Sequence, residues 1–222
     1  MTHRSQAIEI VVVRHGETDW NAKGRYQGHT QNDLNSEGGR QARALAARFA
    51  ADAAVYDGII ASDLRRALHT AEIIAERTGL SLITDKRLRE RKVGIFRGFT
   101  QAETRERFPK EYAAFNADAC YVVPEGESKQ ELQDHAVEFL ADIATSRAGK
   151  RLIVVTHGGI IDSMLRHIFA VPLSMHLPFS NFNAGYNRLI LRDGHWVVAT
   201  LGDISHLAEI ARTHAVREEM PE

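Results

Sequence analysis

IEIVVVRHG (residues 8–16) joins an almost continuously apolar, β-branched run to an abrupt Arg-His-Gly corner. A segment of this length and composition reads as a buried strand, and the charge that ends it marks a strand-to-loop transition. The pattern returns at RLIVVTHGG (151–159), where a second apolar strand ends in His-Gly. In open α/β sheets ligands bind beyond the carboxyl ends of the strands, so two such corners would share one crevice.

The intervening chain alternates helices with strands. Ser36 is expected to cap a helix whose buried side carries Ala42, Leu45, Ala46 and Phe49. A short strand over 57–61 leads into a helix over 64–78 that Gly79 stops, and another short strand follows at 81–84. Residues 87–99 read as an ordered loop, and two short helices near 100–108 and 110–117 are expected to be broken by Pro109. Ser128 and Glu131 have capping-box spacing for a helix to about residue 146, and a further helix is expected over 159–169. Residues 187–191 and 196–200 flank Asp193-Gly194 as a hairpin, which adds antiparallel strands. The fold class predicted is a single α/β domain over 1–222. It has a mixed, mostly parallel sheet, helices on both faces and an excursion around 95–127. Flexible ends are expected at 1–7 and 215–222.

Bulk properties narrow the function. The 222 residues carry 28 Lys and Arg against 29 Asp and Glu, a balance that argues against broad attraction to nucleic acid or anionic membranes. No apolar stretch approaches the length of a membrane span or a signal core, so a cytoplasmic protein is expected. One cysteine, Cys120, excludes an intrachain disulfide framework. There is no HExxH, no GxxxxGK[ST] and no GxSxG, so zinc-protease, P-loop and serine-hydrolase readings find no support.

The remaining chemistry gathers at His15 and His157, with Arg14 beside the first and Arg65 and Arg66 opening the helix after strand 57–61. Guanidinium forks suit phosphate oxygens, and an imidazole can serve as a nucleophile toward phosphorus. The plainer alternative is that each histidine merely ends a strand and each arginine lies on the surface. Glu90, in a loop, is the best-placed acid for a leaving alkoxide, since repulsion from a phosphate keeps a neighbouring carboxyl protonated. A surface ion pair with Arg87, Arg89 or Arg91 is the competing role, and spacing leaves the two open.

VVVRHGETDWN (11–21), RYQG (25–28), DLNSEG (33–38), ASDLRRALHTA (61–71), LRERKVGIFRG (87–98), PEGES (124–128) and VVTHGG (154–159) together resemble the histidine phosphatase superfamily, which includes the cofactor-dependent phosphoglycerate mutases. The motifs run in order over most of the chain. The resemblance implies that His15 is phosphorylated and that Arg14, Arg66 and His157 complete the phosphate pocket. The choice of Arg66 over Arg65 rests on it alone. It further implies that Glu90 donates the proton, that Asn21, Gln27 and Gly28 line the phosphate or substrate, that Gly158 offers a backbone donor to phosphate, and that Glu127 and Ser128 occupy the family's GES segment. It implies neither metal nor cofactor. The expected substrate is a small phosphomonoester, handled by a monomer or a homodimer. The short, mixed-charge stretch 105–127 favours hydrolysis over a phosphoglycerate mutase, and a non-catalytic phospho-ligand binder is the third reading.

Overall fold

The strands that carry the two His-Gly corners lie side by side. In the computed structural model, which describes residues 7–51, 56–147 and 149–208, β1 (Ile8–Arg14) pairs in parallel with β4 (Arg151–Thr156). Val13 stands opposite Val155 and Arg14 opposite Thr156, so the corners open at the same end of the sheet. β2 (Gly58–Ala61) and β3 (Leu82–Thr84) continue the parallel arrangement beyond β4. β5 (Tyr186–Arg192) runs antiparallel to β1 and turns at Asp193-Gly194, both at positive φ, into β6 (His195–Asp203). The order is β3-β2-β4-β1-β5-β6, the mixed and mostly parallel sheet predicted.

Alternation along the central strands builds a core on each face. Ile10, Val12, Leu152 and Val154 pack with Leu132, Phe139 and Leu140 of α6 (Lys129–Ser146) and with Ile160, Ile161 and Met164 of α7 (Gly158–Phe169). Val11, Val13, Ile153 and Val155 face the other way. They meet Leu45, Ala46 and Phe49 of α2 (Ser36–Ala51), and Ala67, Ala71 and Ile74 of α3 (Arg65–Thr78). Each fully buried aliphatic side chain contributes about 1.5–3 kcal/mol. That offsets a backbone-ordering cost of about 1–2 kcal/mol per residue, while the ladders on either side of β1 and β4 pair the buried backbone groups.

Two local expectations change. Ser36 lies inside α2, and the cap is Asn35, whose Oδ1 accepts from the Gly38 amide at 2.8 Å. Asn35 Nδ2 also donates to Glu17 at 2.8 Å, tying the start of α2 to the loop behind His15. Pro109 begins a helix rather than breaking one. It occupies the first turn of α5 (Pro109–Ala117), where its missing N–H costs nothing, and Phe108 separates α5 from α4 (Gln101–Arg107). The capping box of α6 is present in full: the Glu131 amide donates to Ser128 Oγ at 3.1 Å and the Ser128 amide to Glu131 Oε2 at 2.7 Å.

The excursion holds α4 and α5 and has a small core of its own, Val93, Phe96, Phe115 and Val123, with Tyr26, Phe108 and Tyr112 against it. Its two strands of chain meet tightly at the base. Gly94 has φ +53°, and a Cβ there would lie 1.9 Å from the Pro124 carbonyl oxygen, so only glycine fits. Among the described residues no helix is long and apolar enough to cross a membrane. The ends expected to be flexible fall outside the described residues, apart from Ala7.

Candidate active site

β1 ends by presenting Arg14, and His15 follows on the turn. His15 is buried, and its Nδ1 lies 2.7 Å from the Gly16 carbonyl. A carbonyl only accepts, so Nδ1 carries the proton and Nε2 keeps its lone pair. The Arg66 guanidinium reinforces this tautomer by donating from Nε to His15 Nε2 at 3.2 Å. The Gly16 amide donates to Thr70 Oγ1, whose hydroxyl donates in turn to the Arg66 carbonyl one helical turn back. α3 therefore fixes both the arginine and the loop that carries the histidine.

The two arginines at the start of α3 part ways. Arg66 is wholly buried and also donates to the carbonyls of Gly28 at 2.9 Å and Thr30 at 3.1 Å. Arg65 faces outward and pairs with Asp33 and Glu72. Burial pushes the Arg66 pKa down to about 10, with the Glu90 carboxylate opposing and Arg14 adding to the fall. Arg14 donates through Nη1 to the Asn181 carbonyl, and among the described residues its buried Nε has no partner.

β4 delivers His157 into the same place. Its ring centroid lies 5.1 Å from that of His15, and its Nε2 lies 2.8 Å from Ser62 Oγ. Its Nδ1 is buried with no partner among the described residues. Two such nitrogens, Arg14 Nε and His157 Nδ1, thus belong to the side chains gathered around His15. Such an arrangement costs free energy until an anion with several acceptor oxygens fills it.

Glu90 approaches from the loop. Arg87 is held by Asp85, Glu138 and Asp142, and Arg89 by Asp63, so neither competes for it. Its Oε1 accepts from the Arg91 amide at 2.8 Å and its Oε2 from the Gly159 amide of α7 at 3.1 Å. The surface-ion-pair alternative therefore falls away for Arg87 and Arg89. A cavity of about 260 Å³ is lined by Arg14, His15, Asn21, Gln27, Gly28, Arg66 and Glu90, together with Arg91. His157 and Gly158 sit just behind this lining. A Cβ on Gly158 would lie 3.7 Å from Arg14 Nε and from Asn181 Nδ2.

Two expected positions do not join the cavity. Glu127 turns away, accepting from the Lys92 amide at 3.0 Å, and Ser128 is committed to capping α6. Sequence reasoning missed Ser62, Thr70, Arg91 and Asn181. Asn183 Nδ2 donates to the His15 carbonyl at 2.9 Å. Arg91 adjoins Glu90 in sequence and carried the one available signal. Asn181 lies in an irregular segment with no periodicity to reveal it.

Burial, then Arg66 and Arg14, hold the His15 imidazole well below the usual histidine range despite the Gly16 carbonyl. Burial also dominates at His157, followed by Arg66, His15 and Arg14. Both rings therefore stay neutral in the folded protein while the unfolded chain titrates near the ordinary value of about 6.5. Below that pH the unfolded state binds protons that the folded state refuses. Stability is complete above about pH 6.5 and declines as pH falls, by up to about 1.4 kcal/mol per pH unit for each ring. Denaturant unfolding between pH 7.5 and 5.5 is expected to show this decline, with a shallower slope in His157→Asn. An equal slope in the variant would remove His157 from the account.

A family model described as the histidine phosphatase superfamily (branch 1) matches residues 10–204. Phosphoglycerate mutase-like protein 4 of Arabidopsis thaliana is 40% identical over 205 residues, covering 90% of this chain and 87% of its own. A metal-independent phosphoserine phosphatase of the same plant is 38% identical over 212 residues, covering 93% and 86%. Among solved structures, a phosphoserine phosphatase mutant from Entamoeba histolytica in complex with phosphoserine superposes with a TM-score of 0.79 at 28% identity, covering 90% of this chain and 99% of that one. With the fold, the paired corners and these matches in agreement, the chain belongs to branch 1 of the histidine phosphatase superfamily.

Proposed function

We propose that this phosphomonoesterase hydrolyses a small phosphorylated metabolite through a phosphohistidine on His15. The observation that carries the reading is the Nε2 lone pair of His15, fixed by the Gly16 carbonyl on one side and facing Arg66 on the other. In the first step Nε2 attacks phosphorus and the bond to the ester oxygen breaks. Arg14 and Arg66 neutralise the equatorial oxygens, with His157 Nδ1 and the start of α7 as further donors. Glu90 gives its proton to the departing oxygen. In the second step the Glu90 carboxylate takes a proton from water, the water oxygen bonds to phosphorus, and the N–P bond breaks. His15 returns neutral and Glu90 protonated.

The short, mixed-charge excursion, in which Phe108 and Phe115 pack on Phe96, supports hydrolysis over return of the phosphoryl group to a bound acceptor. Phosphoserine phosphatase activity in a relative is further support. The test is a panel of phosphomonoesters assayed with EDTA for free phosphate and for transfer to 3-phosphoglycerate. Phosphate release undiminished by EDTA is expected. Efficient transfer with little release would replace this reading with a mutase, and binding without either product would replace it with a phospho-ligand receptor.

A further inference from the structure

Ser62, the residue after β2, is wholly buried, and its amide donates to the Val155 carbonyl of β4 at 2.9 Å. Ala61 stands opposite Val155, so Ser62 comes level with the turn on which His157 follows β4. The two strands thus bring a hydroxyl against the second histidine, though no step of the reaction calls for one.

That hydroxyl has two neighbours. The Leu64 amide, just ahead of α3, donates to Ser62 Oγ at 3.3 Å, and His157 Nε2 lies 2.8 Å from the same oxygen. A hydroxyl has one proton to give. Among the described residues the ring nitrogen is the one acceptor within its reach, so that proton goes to Nε2. The ring itself is neutral, since burial first and then Arg66 oppose a charge on it. A neutral imidazole that accepts at Nε2 carries its own proton on Nδ1. Nδ1 is the atom that lies buried with no partner among the described residues. With the proton on Nε2 instead, the hydroxyl would accept from both neighbours and its own proton would find no acceptor. Nδ1 would then offer a lone pair, which repels a phosphoryl oxygen.

We infer that Ser62 is a positioning residue that fixes His157 as the Nδ1–H tautomer, making the ring a hydrogen-bond donor to the phosphoryl group. The inference rests on the phosphomonoesterase reading, in which His157 Nδ1 serves the phosphoryl oxygens, and it names the group that decides what Nδ1 can offer them. The two histidines then hold their protons on the same ring atom and use opposite ends. His15 is held at Nδ1 by the Gly16 carbonyl and presents the Nε2 lone pair, whereas His157 is held at Nε2 by Ser62 and presents the Nδ1 proton. A carbonyl at one ring and a hydroxyl at the other make a nucleophile and a donor out of like side chains.

The experiment reads the tautomer directly. With histidine labelled in its ring nitrogens, long-range proton–nitrogen correlation spectra at neutral pH distinguish a protonated nitrogen from a bare one, and His157→Asn assigns the His157 signals. Wild type is expected to carry the His157 proton on Nδ1. Ser62→Ala should move it at least partly to Nε2, and Ser62→Thr, which keeps the hydroxyl, should hold it on Nδ1. Phosphate release by Ser62→Ala should fall by roughly tenfold to hundredfold in kcat/KM, the range of a hydrogen bond to a charged group, with most of it restored in Ser62→Thr. In a His157→Asn background the same Ser62→Ala change should cost less than about twofold, because the ring it acts through is gone. A wild-type ring protonated at Nε2 overturns the inference without any variant. So does a Ser62→Ala ring that keeps its proton wholly on Nδ1, or an equal loss in the two backgrounds. Absence of phosphate release from every ester overturns the phosphatase reading, and the spectra then still decide what Ser62 does to His157.

Discussion

His15→Ala is expected to abolish phosphate release, with a loss of roughly 10⁴-fold or more in kcat, as when the nucleophile of a covalent mechanism is removed. The size follows from what would remain. Arg14, Arg66 and His157 would still bind phosphate, but no group within the cavity could replace the Nε2 lone pair. Glu90 is held by the Gly159 and Arg91 amides, and the His157 ring nitrogen nearest a hydroxyl is engaged with Ser62. Removing a buried neutral ring leaves Arg66 with its bonds to Gly28 and Thr30, so the fold should persist. Rapid quenching with a phosphorus-labelled substrate should trap an acid-labile phosphoenzyme in wild type and none in the variant. A variant that keeps a rate within tenfold of wild type would exclude His15 as the nucleophile.

Glu90→Gln is expected to lower kcat by about 10²–10³-fold for alkyl phosphates, within the range of a positioned general acid. The substitution keeps the shape and the acceptor oxygen that one of the two amides needs, so binding should change little. The loss should shrink for p-nitrophenyl phosphate, whose leaving group departs without a proton. Formation of the phosphoenzyme would then outrun its hydrolysis, because water still lacks its base, and a burst of nitrophenol should appear. Gly159→Ala offers a second route to the same signature. A Cβ at this position would stand 2.2 Å from Glu90 Oε1 and 2.9 Å from Leu132, displacing the carboxylate without removing it. Equal losses on both leaving groups would show that Glu90 positions the phosphate rather than delivering the proton.

Much of this arrangement is readable from the chain because the fold and the site share residues. The apolar runs that make β1 and β4 central end in the histidines, so the period-two burial signal and the chemistry point to one place. Arg66 against Arg65 was undecidable from helical spacing, and the difference proves tertiary: Arg66 finds the carbonyls of a loop more than thirty residues earlier, while Arg65 finds Asp33. Glu90 was open for a similar reason, since its neighbours Arg87 and Arg89 are claimed by acids on other elements. Ser62 and Asn181 act through contacts across 95 and 167 residues, beyond any local pattern. Asn35 replaced Ser36 as cap because Asn35 can reach the Gly38 amide and Glu17 together. Glu127 and Ser128 were placed by resemblance alone, and the structure spends Glu127 on the Lys92 backbone and Ser128 on capping α6.

The separate packing of the excursion bears on how this enzyme could change over time. Phe96, Phe115 and Val123 owe nothing to either face of the sheet, and the seam at Gly94 and Pro124 closes the insert off from the strands. The cost of a substitution there should simply add to that of one in the β1–β4 core, as expected of distant sites with no shared partners. Phe115 is also the surface on which Arg91 and Lys129 rest. A lineage can therefore vary this small cluster while the histidines stay under the constraint of the main core.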